Sequence, residues 1–148
     1  TLPVLDIKDY LGVDEEEEHV LHIEPADSEN GRMVMIVEDE ELVTALVTGI
    51  LESDGYGVEV AINGEEALSK VKGAVYDFIV CDIKMPQMNG KEFYRRLKAM
   101  ETGLERRILF ITGDPRTETL DFIEETGNRF LSKPFKIEEF REVVKEFE

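Results

Sequence analysis

Five alternations of a short apolar run with an amphipathic segment predict an α/β domain, a parallel sheet with helices on both faces. Three features carry this. The runs are short and mostly unbroken, the segments after them have helical spacing, and turn residues separate the two. "MVMIV" (33–37) reads as a buried strand, and "DEELVTALVTGILESD" after it carries Leu42, Leu46 and Ile50 beside Val43, Val47 and Leu51, a wide helical stripe. "YGVEVA" (56–61) is a second strand, and "NGEEALSKVKGA" (63–74) is a helix opened by Asn63. "DFIVCD" (77–82) is the third strand, followed by a helix from Gly90 to Met100. "RRILFIT" (106–112), a helix from Pro115 to Thr126, "RFLSK" and a helix from Ile137 to Phe147 complete the set. No internal sequence repeat accompanies the alternation.

The 148 residues suit one domain of ordinary size, and 42% hydrophobic content can fill a core. No apolar run approaches the roughly 18 residues that a membrane span needs, so a soluble, cytoplasmic protein is expected. Cys81 is the single cysteine, which rules out an internal disulfide and reads as a small core residue. With 17 basic against 34 acidic residues, direct nucleic-acid binding is not expected, because phosphate contacts need basic patches. The charge is uneven: Thr1 to Asn30 holds ten acidic residues and one lysine. Residues 1–31 therefore read as an acidic tail or interdomain linker, and 32–148 as the folded domain. His19 and His22 lie in the tail with H-x-x-H spacing, which on a strand or coil does not share a face and reads as solvated. Residues 31–148 contain no histidine, so no imidazole base is available there.

In parallel sheets of this kind ligands bind beyond the carboxyl ends of the strands. Collected there are Glu38, Asp39 and Glu40 after strand one, Asp82 at the end of strand three, Thr112 and Asp114 after strand four, and Ser132 and Lys133 after strand five. Asp82 follows four apolar residues and precedes the turn "KMPQMNG", so it is expected to be half shielded yet reachable. Beside Glu38 and Asp39 it would meet strong repulsion, which a hard divalent cation with oxygen ligands relieves; Mg²⁺ suits that role. A carboxylate so placed, with Lys133 and Thr112 beside it, is suited to nucleophilic attack on phosphorus. Singly, each residue has a plainer reading: Asp82 as a turn former, Asp39 as a helix cap, Lys133 as a surface lysine, Thr112 as a strand residue. Their joint placement is the signal.

"VEDE", "CDIKMPQMNG", "ITGD" and "SKPF" occur in this order, each after a strand-like segment, and on these motifs residues 32–148 resemble the receiver domain of two-component response regulators. The resemblance implies a (βα)5 flavodoxin-like sheet of order 2-1-3-4-5. It implies that Asp82 is the phosphoacceptor, and that Asp39, Asp82 and the backbone carbonyl of Lys84 hold Mg²⁺, with Glu38 helping directly or through water. Thr112 becomes the switch hydroxyl, Lys133 the lysine that bonds the phosphoryl oxygen, and Phe130 the aromatic switch. Gly113 leaves room for the donor, Pro134 follows a cis bond, and Lys84 and Asp114 sit where side chains tune the aspartyl-phosphate lifetime. The implied partner is a histidine kinase or a histidine phosphotransfer domain, with Leu42, Val43 and Leu46 as docking candidates where the stripe is exposed. The implied activity is a signalling domain that catalyses its own phosphorylation and dephosphorylation.

Two other functions use the same type of sheet. A Mg²⁺-dependent aspartyl-nucleophile phosphohydrolase generally wants a second aspartate two residues after the nucleophile, where Lys84 stands. A mononucleotide binder wants a glycine-rich phosphate loop after strand one, where "EDEE" stands. "TLPV" at the start resembles the closing strand of a histidine kinase ATP-binding domain, which implies a C-terminal receiver of a hybrid kinase. A stand-alone regulator, or a piece of a larger one, is the competing expectation, with output through a separate effector.

Overall fold

The computed structural model of the chain describes residues 31–148 apart from Pro115. The acidic segment through Asn30, with "TLPV", His19 and His22, lies outside the described residues. Five strands alternate with five helices: β1 (Met33–Val37), α1 (Glu41–Ser53), β2 (Gly57–Ala61), α2 (Gly64–Val71), β3 (Phe78–Asp82), α3 (Gly90–Ala99), β4 (Ile108–Thr112), α4 (Thr117–Thr126), β5 (Phe130–Ser132) and α5 (Ile137–Val144). All strand pairs are parallel, in the order β2-β1-β3-β4-β5. No helix among the described residues is long and apolar enough to cross a membrane.

The strand residues alternate between two cores, as the pleat requires. Val34, Ile36, Phe78, Val80, Leu109 and Ile111 face α1 and α5, meeting Val47, Ile50, Phe140 and Val144. Met35, Val37, Ile79, Cys81, Ile108 and Phe110 face the other side, meeting Ala67 of α2, Phe93 and Leu97 of α3, and Phe122 and Ile123 of α4. A strand covered on both faces has no polar side to show, which is why these runs are unbroken in the sequence. Cys81 is a buried free thiol, and Met85 and Met88 pack into the second core, as read from the sequence.

Several boundaries differ from the expected ones, each for a local reason. The first helix starts at Glu41 with Glu40 as its N-cap residue, so Asp39 is not the cap. Arg106 and Arg107 belong to a 3₁₀ turn, Leu104–Arg107, and β4 begins at Ile108. Helix α4 begins at Thr117, with Arg116 as N-cap residue. The last helix tightens into a 3₁₀ turn at Lys145–Phe147, where Phe147 stacks on Phe78 at 4.7 Å between ring centroids. Asn63 does open α2, accepting the Glu66 N–H at 2.9 Å. Val43 and Leu46 are core residues, leaving only the partly exposed Leu42 of the three docking candidates on the surface.

Candidate active site

Sheet register brings the polar residues together. Strand β1 pairs Val37 with Cys81 of β3, β3 pairs Asp82 with Ile111, and β4 pairs Thr112 with Ser132. Glu38, Asp82, Thr112 and Lys133 therefore fall in adjacent places along one edge, at the point where the strand order reverses between β1 and β3. The Lys133 N–H donates to the Thr112 carbonyl at 2.8 Å, and the Lys133–Pro134 bond is cis.

The loop after β3 is held close to Asp82 by a glycine. Gly90 donates its N–H to the Ile83 carbonyl at 2.8 Å, and a Cβ there would stand 2.8 Å from the Asp82 carbonyl oxygen and 2.9 Å from Ile83 Cα. Only glycine allows that approach. Asn89 caps α3 by accepting the Glu92 N–H at 3.0 Å, and Gln87, two residues before it, adopts a positive φ of 68°. "MPQMNG" is thus a turn that returns the chain beneath Asp82.

Asp82 is more buried than the sequence suggests, at 3% exposure, yet it lines an open cleft of about 390 Å³ with Glu40, Lys84, Gly113, Asp114, Arg116 and Lys133. The Lys133 ammonium stands 3.3 Å from Asp82 Oδ2, 3.0 Å from Glu40 Oε1 and 3.1 Å from Glu38 Oε2. The contact to Glu38 Oε2 is a charge contact without hydrogen-bond alignment, so this buried oxygen has no hydrogen-bond donor. Burial pushes the Glu38 carboxyl up to about 8, with the Asp82 charge adding to the rise and Lys133 opposing it. Burial also raises Asp82, against the pull of Lys133. For Lys133 burial opposes the charge, but Asp82 and Glu38 together outweigh it and hold the ammonium firmly protonated.

Oxygens of Glu38, Glu40 and Asp82 lie within 4.8 Å of one another. When all three are ionised, the carboxylates against one ammonium leave about two negative charges uncompensated in a partly buried place, the charge that one divalent cation balances and the reason burial without one favours a protonated Glu38. The orphaned Glu38 Oε2 fits that role as well. Asp39, expected among the ligands, is outside this group, while Glu40, which sequence reasoning did not assign and which is likewise exposed, is inside it. A carboxylate triplet after a strand is visible in the sequence, but which of its members gather with Asp82 is not.

Thr112 is buried, and its hydroxyl accepts the Asp114 N–H at 2.9 Å, so it turns toward its own loop and makes no hydrogen bond to Asp82. Asp114 is held by Arg116, whose hydrogen bonds keep the carboxyl well below the usual carboxylate range. The Lys84 N–H donates to Asp82 Oδ1 at 3.3 Å, while its ammonium points to Asp114 at 3.9 Å. At Gly113 an added Cβ would meet only Lys133 side-chain carbons at 3.9 Å, so the cleft is open there. Phe130 starts β5 with 39% exposure, turned outward beside Leu120 and Ile123. A buried carboxylate beside a fixed ammonium and an open cleft is equipped to act as a nucleophile toward an anionic phosphorus centre.

The family model of the response regulator receiver domain matches residues 34–145. The transcriptional regulatory protein TrcR of Mycobacterium tuberculosis is 34% identical over 107 residues, 72% of this chain and 41% of that protein. DltR of Streptococcus agalactiae is 28% identical over 107 residues, 72% of this chain and 47% of that protein. The chain spans about half the length of the curated relatives it matches. Among solved structures, the chemotaxis response regulator CheY4 of Vibrio cholerae superposes with a TM-score of 0.72 and 30% identity, covering 79% of this chain and 98% of that one. The receiver domain of a sensor histidine kinase from Pseudomonas aeruginosa, with a magnesium ion coordinated in its active-site cleft, gives a TM-score of 0.71 and 25% identity over 78% of this chain and 96% of that one. Strand order, the site at the β1–β3 reversal and the family match over most of its length agree: the chain belongs to the response-regulator receiver domains of two-component signal transduction.

Proposed function

We propose that Asp82 is the phosphoacceptor of this receiver domain. The observation that carries the reading is its position, a buried carboxylate at a strand end whose Oδ2 lies 3.3 Å from the Lys133 ammonium and which opens onto a cleft. In this reading an Asp82 oxygen attacks phosphorus, Lys133 holds a phosphoryl oxygen, and Thr112 leaves the Asp114 N–H to donate its hydroxyl to another. Phe130, now outward, turns inward as Thr112 moves, which gives a two-state output. Glu38, Asp82 and the Lys84 carbonyl, joined by Asp39 or Glu40, would hold Mg²⁺, which supplies charge neutralisation for the phosphoryl group when bound. The uncompensated carboxylates and the magnesium in the cleft of the Pseudomonas relative support that assignment.

The phosphoryl source in this reading is a histidine kinase or a histidine phosphotransfer domain, in the cytoplasm, and the output passes to a separate effector without direct nucleic-acid contact by this domain. Residues 1–31 serve in this reading as an acidic tail or interdomain linker. Mass spectrometry of the chain with Mg²⁺ and acetyl phosphate tests the reading: a gain of one phosphoryl group that is absent in Asp82→Ala is the expected result. Unchanged mass with small donors and with histidine kinases would rule it out. The phosphohydrolase reading has no second aspartate to act as acid, since Lys84 occupies that position.

A further inference from the structure

The mouth of the cleft carries cations that the roles of Asp82, Thr112 and Lys133 leave unexplained. Lys84 and Arg116 both line it, with side chains 66% and 63% exposed. Between them lies Asp114, a buried carboxylate. Arg116 closes around it: Oδ1 accepts the backbone N–H and Nε–H at 3.0 Å, and Oδ2 accepts Nε–H at 2.9 Å while Nη2 stands at 2.8 Å. The Thr119 hydroxyl donates to Oδ2 at 3.0 Å. Lys84 Nζ stands 3.9 Å from the same oxygen, an ion pair too long for a hydrogen bond. Asp114 is therefore committed to Arg116, and Lys84 is held only loosely.

We propose that Arg116 is a positioning residue for phosphoryl transfer, neutralising Asp114 within the cleft so that the Lys84 ammonium is left to meet a small anionic phosphodonor such as an acyl phosphate. The inference rests on Asp82 as acceptor. In the transfer, an Asp82 oxygen forms a bond to phosphorus, the bond from phosphorus to the acyl oxygen breaks, and the acyl carboxylate departs with that electron pair. The donor enters as an anion beside Glu38, Glu40 and Asp82. Without Arg116, Asp114 adds another unbalanced charge and draws Lys84 to itself. Lysine at position 116 keeps the charge but not the fork, so it substitutes only in part.

The test is the rate of phosphorylation of the full chain against acetyl phosphate concentration, with Mg²⁺, followed by intact mass. Arg116→Gln is expected to raise the concentration for half-maximal rate about three- to tenfold, the scale of one solvent-screened charge, with the limiting rate little changed and the effect shrinking in high salt. Asp114→Asn is expected to lower that concentration, and the double variant to return to within about twofold of wild type, because its charges again balance. The double variant holds no unpaired buried charge, so the comparison with Asp114→Asn stands even where Arg116→Gln fails to fold. A double variant as slow as Arg116→Gln, or no difference between it and Asp114→Asn, overturns the proposal in favour of a loop-holding role. A phosphorylated wild type with Arg116→Gln unchanged overturns this inference alone, whereas a wild type that takes no phosphoryl group overturns the functional reading with it.

Discussion

Replacing Glu38 with glutamine should make the folded domain more stable at neutral pH and flatten its pH dependence. The Glu38 side chain is fully buried, and its carboxyl rises from an ordinary value of 4.5 to about 8 through burial first and the Asp82 charge second. Across that window the folded chain holds a proton that the unfolded chain has released. The stabilising contribution of the neutral acid is therefore complete below pH 4.5 and lost as pH rises toward 8. At pH 7 the linkage amounts to about 3 kcal/mol against folding. Glutamine forfeits the charge contact with Lys133 at 3.1 Å, which offsets part of the gain, so a net stabilisation of about 1–3 kcal/mol is expected. For a domain of this size that is a rise in Tm of roughly 3–10 °C. Urea denaturation followed by circular dichroism, at intervals from pH 5 to 8 with EDTA present, reads it directly. Wild-type stability that is flat or rising over this range, or a glutamine variant with the same slope, would refute the reasoning.

Other perturbations separate the packing from the chemistry. Gly90→Ala places a methyl 2.8 Å from the Asp82 carbonyl oxygen and should cost about 1–3 kcal/mol in urea denaturation while slowing phosphorylation, because the backbone that must shift carries the proposed acceptor. Phe110→Ala empties a fully buried place beside Phe122 and Tyr94, and a loss of about 3–5 kcal/mol is expected in the same assay. Magnesium binding, measured by calorimetry, should release protons and weaken by up to about tenfold per unit as pH falls from 8 to 6, since the proposed ligands Glu38 and Asp82 must ionise to bind it.

The architecture was legible because burial on both faces leaves its mark as unbroken apolar runs in β1, β3 and β4, and β1, β3, β4 and β5 end where a polar residue reaches the sheet edge. Asp82, Thr112 and Lys133 could be grouped from order alone, since parallel register places successive strand ends side by side. Orientation was not legible. Glu40 and Asp39 are both exposed, yet Glu40 reaches the Lys133 ammonium at 3.0 Å and Asp39 stands outside the carboxylate group, a difference that residue type does not encode. Asp114 was visible, but its clasp by Arg116 and Thr119 forms in the first turn of α4 and leaves no periodic pattern. The Thr112 hydroxyl turns to the Asp114 N–H through a hydrogen bond two residues long, equally silent in the sequence. At the far end, α5 gives way to a 3₁₀ turn while Phe147 stacks on Phe78 and Arg107 donates to its carbonyl, tertiary contacts that override local helical preference.

Site-resolved detection of the acyl phosphate is the most direct test of the central claim. The chain is phosphorylated with acetyl phosphate and Mg²⁺, reduced with borohydride so that a phosphorylated aspartate becomes homoserine, and mapped by peptide mass spectrometry. Conversion at Asp82 alone is the predicted result. Conversion at Asp39 or Asp114 with Asp82 intact, or phosphorylation that persists in Asp82→Ala, would contradict it.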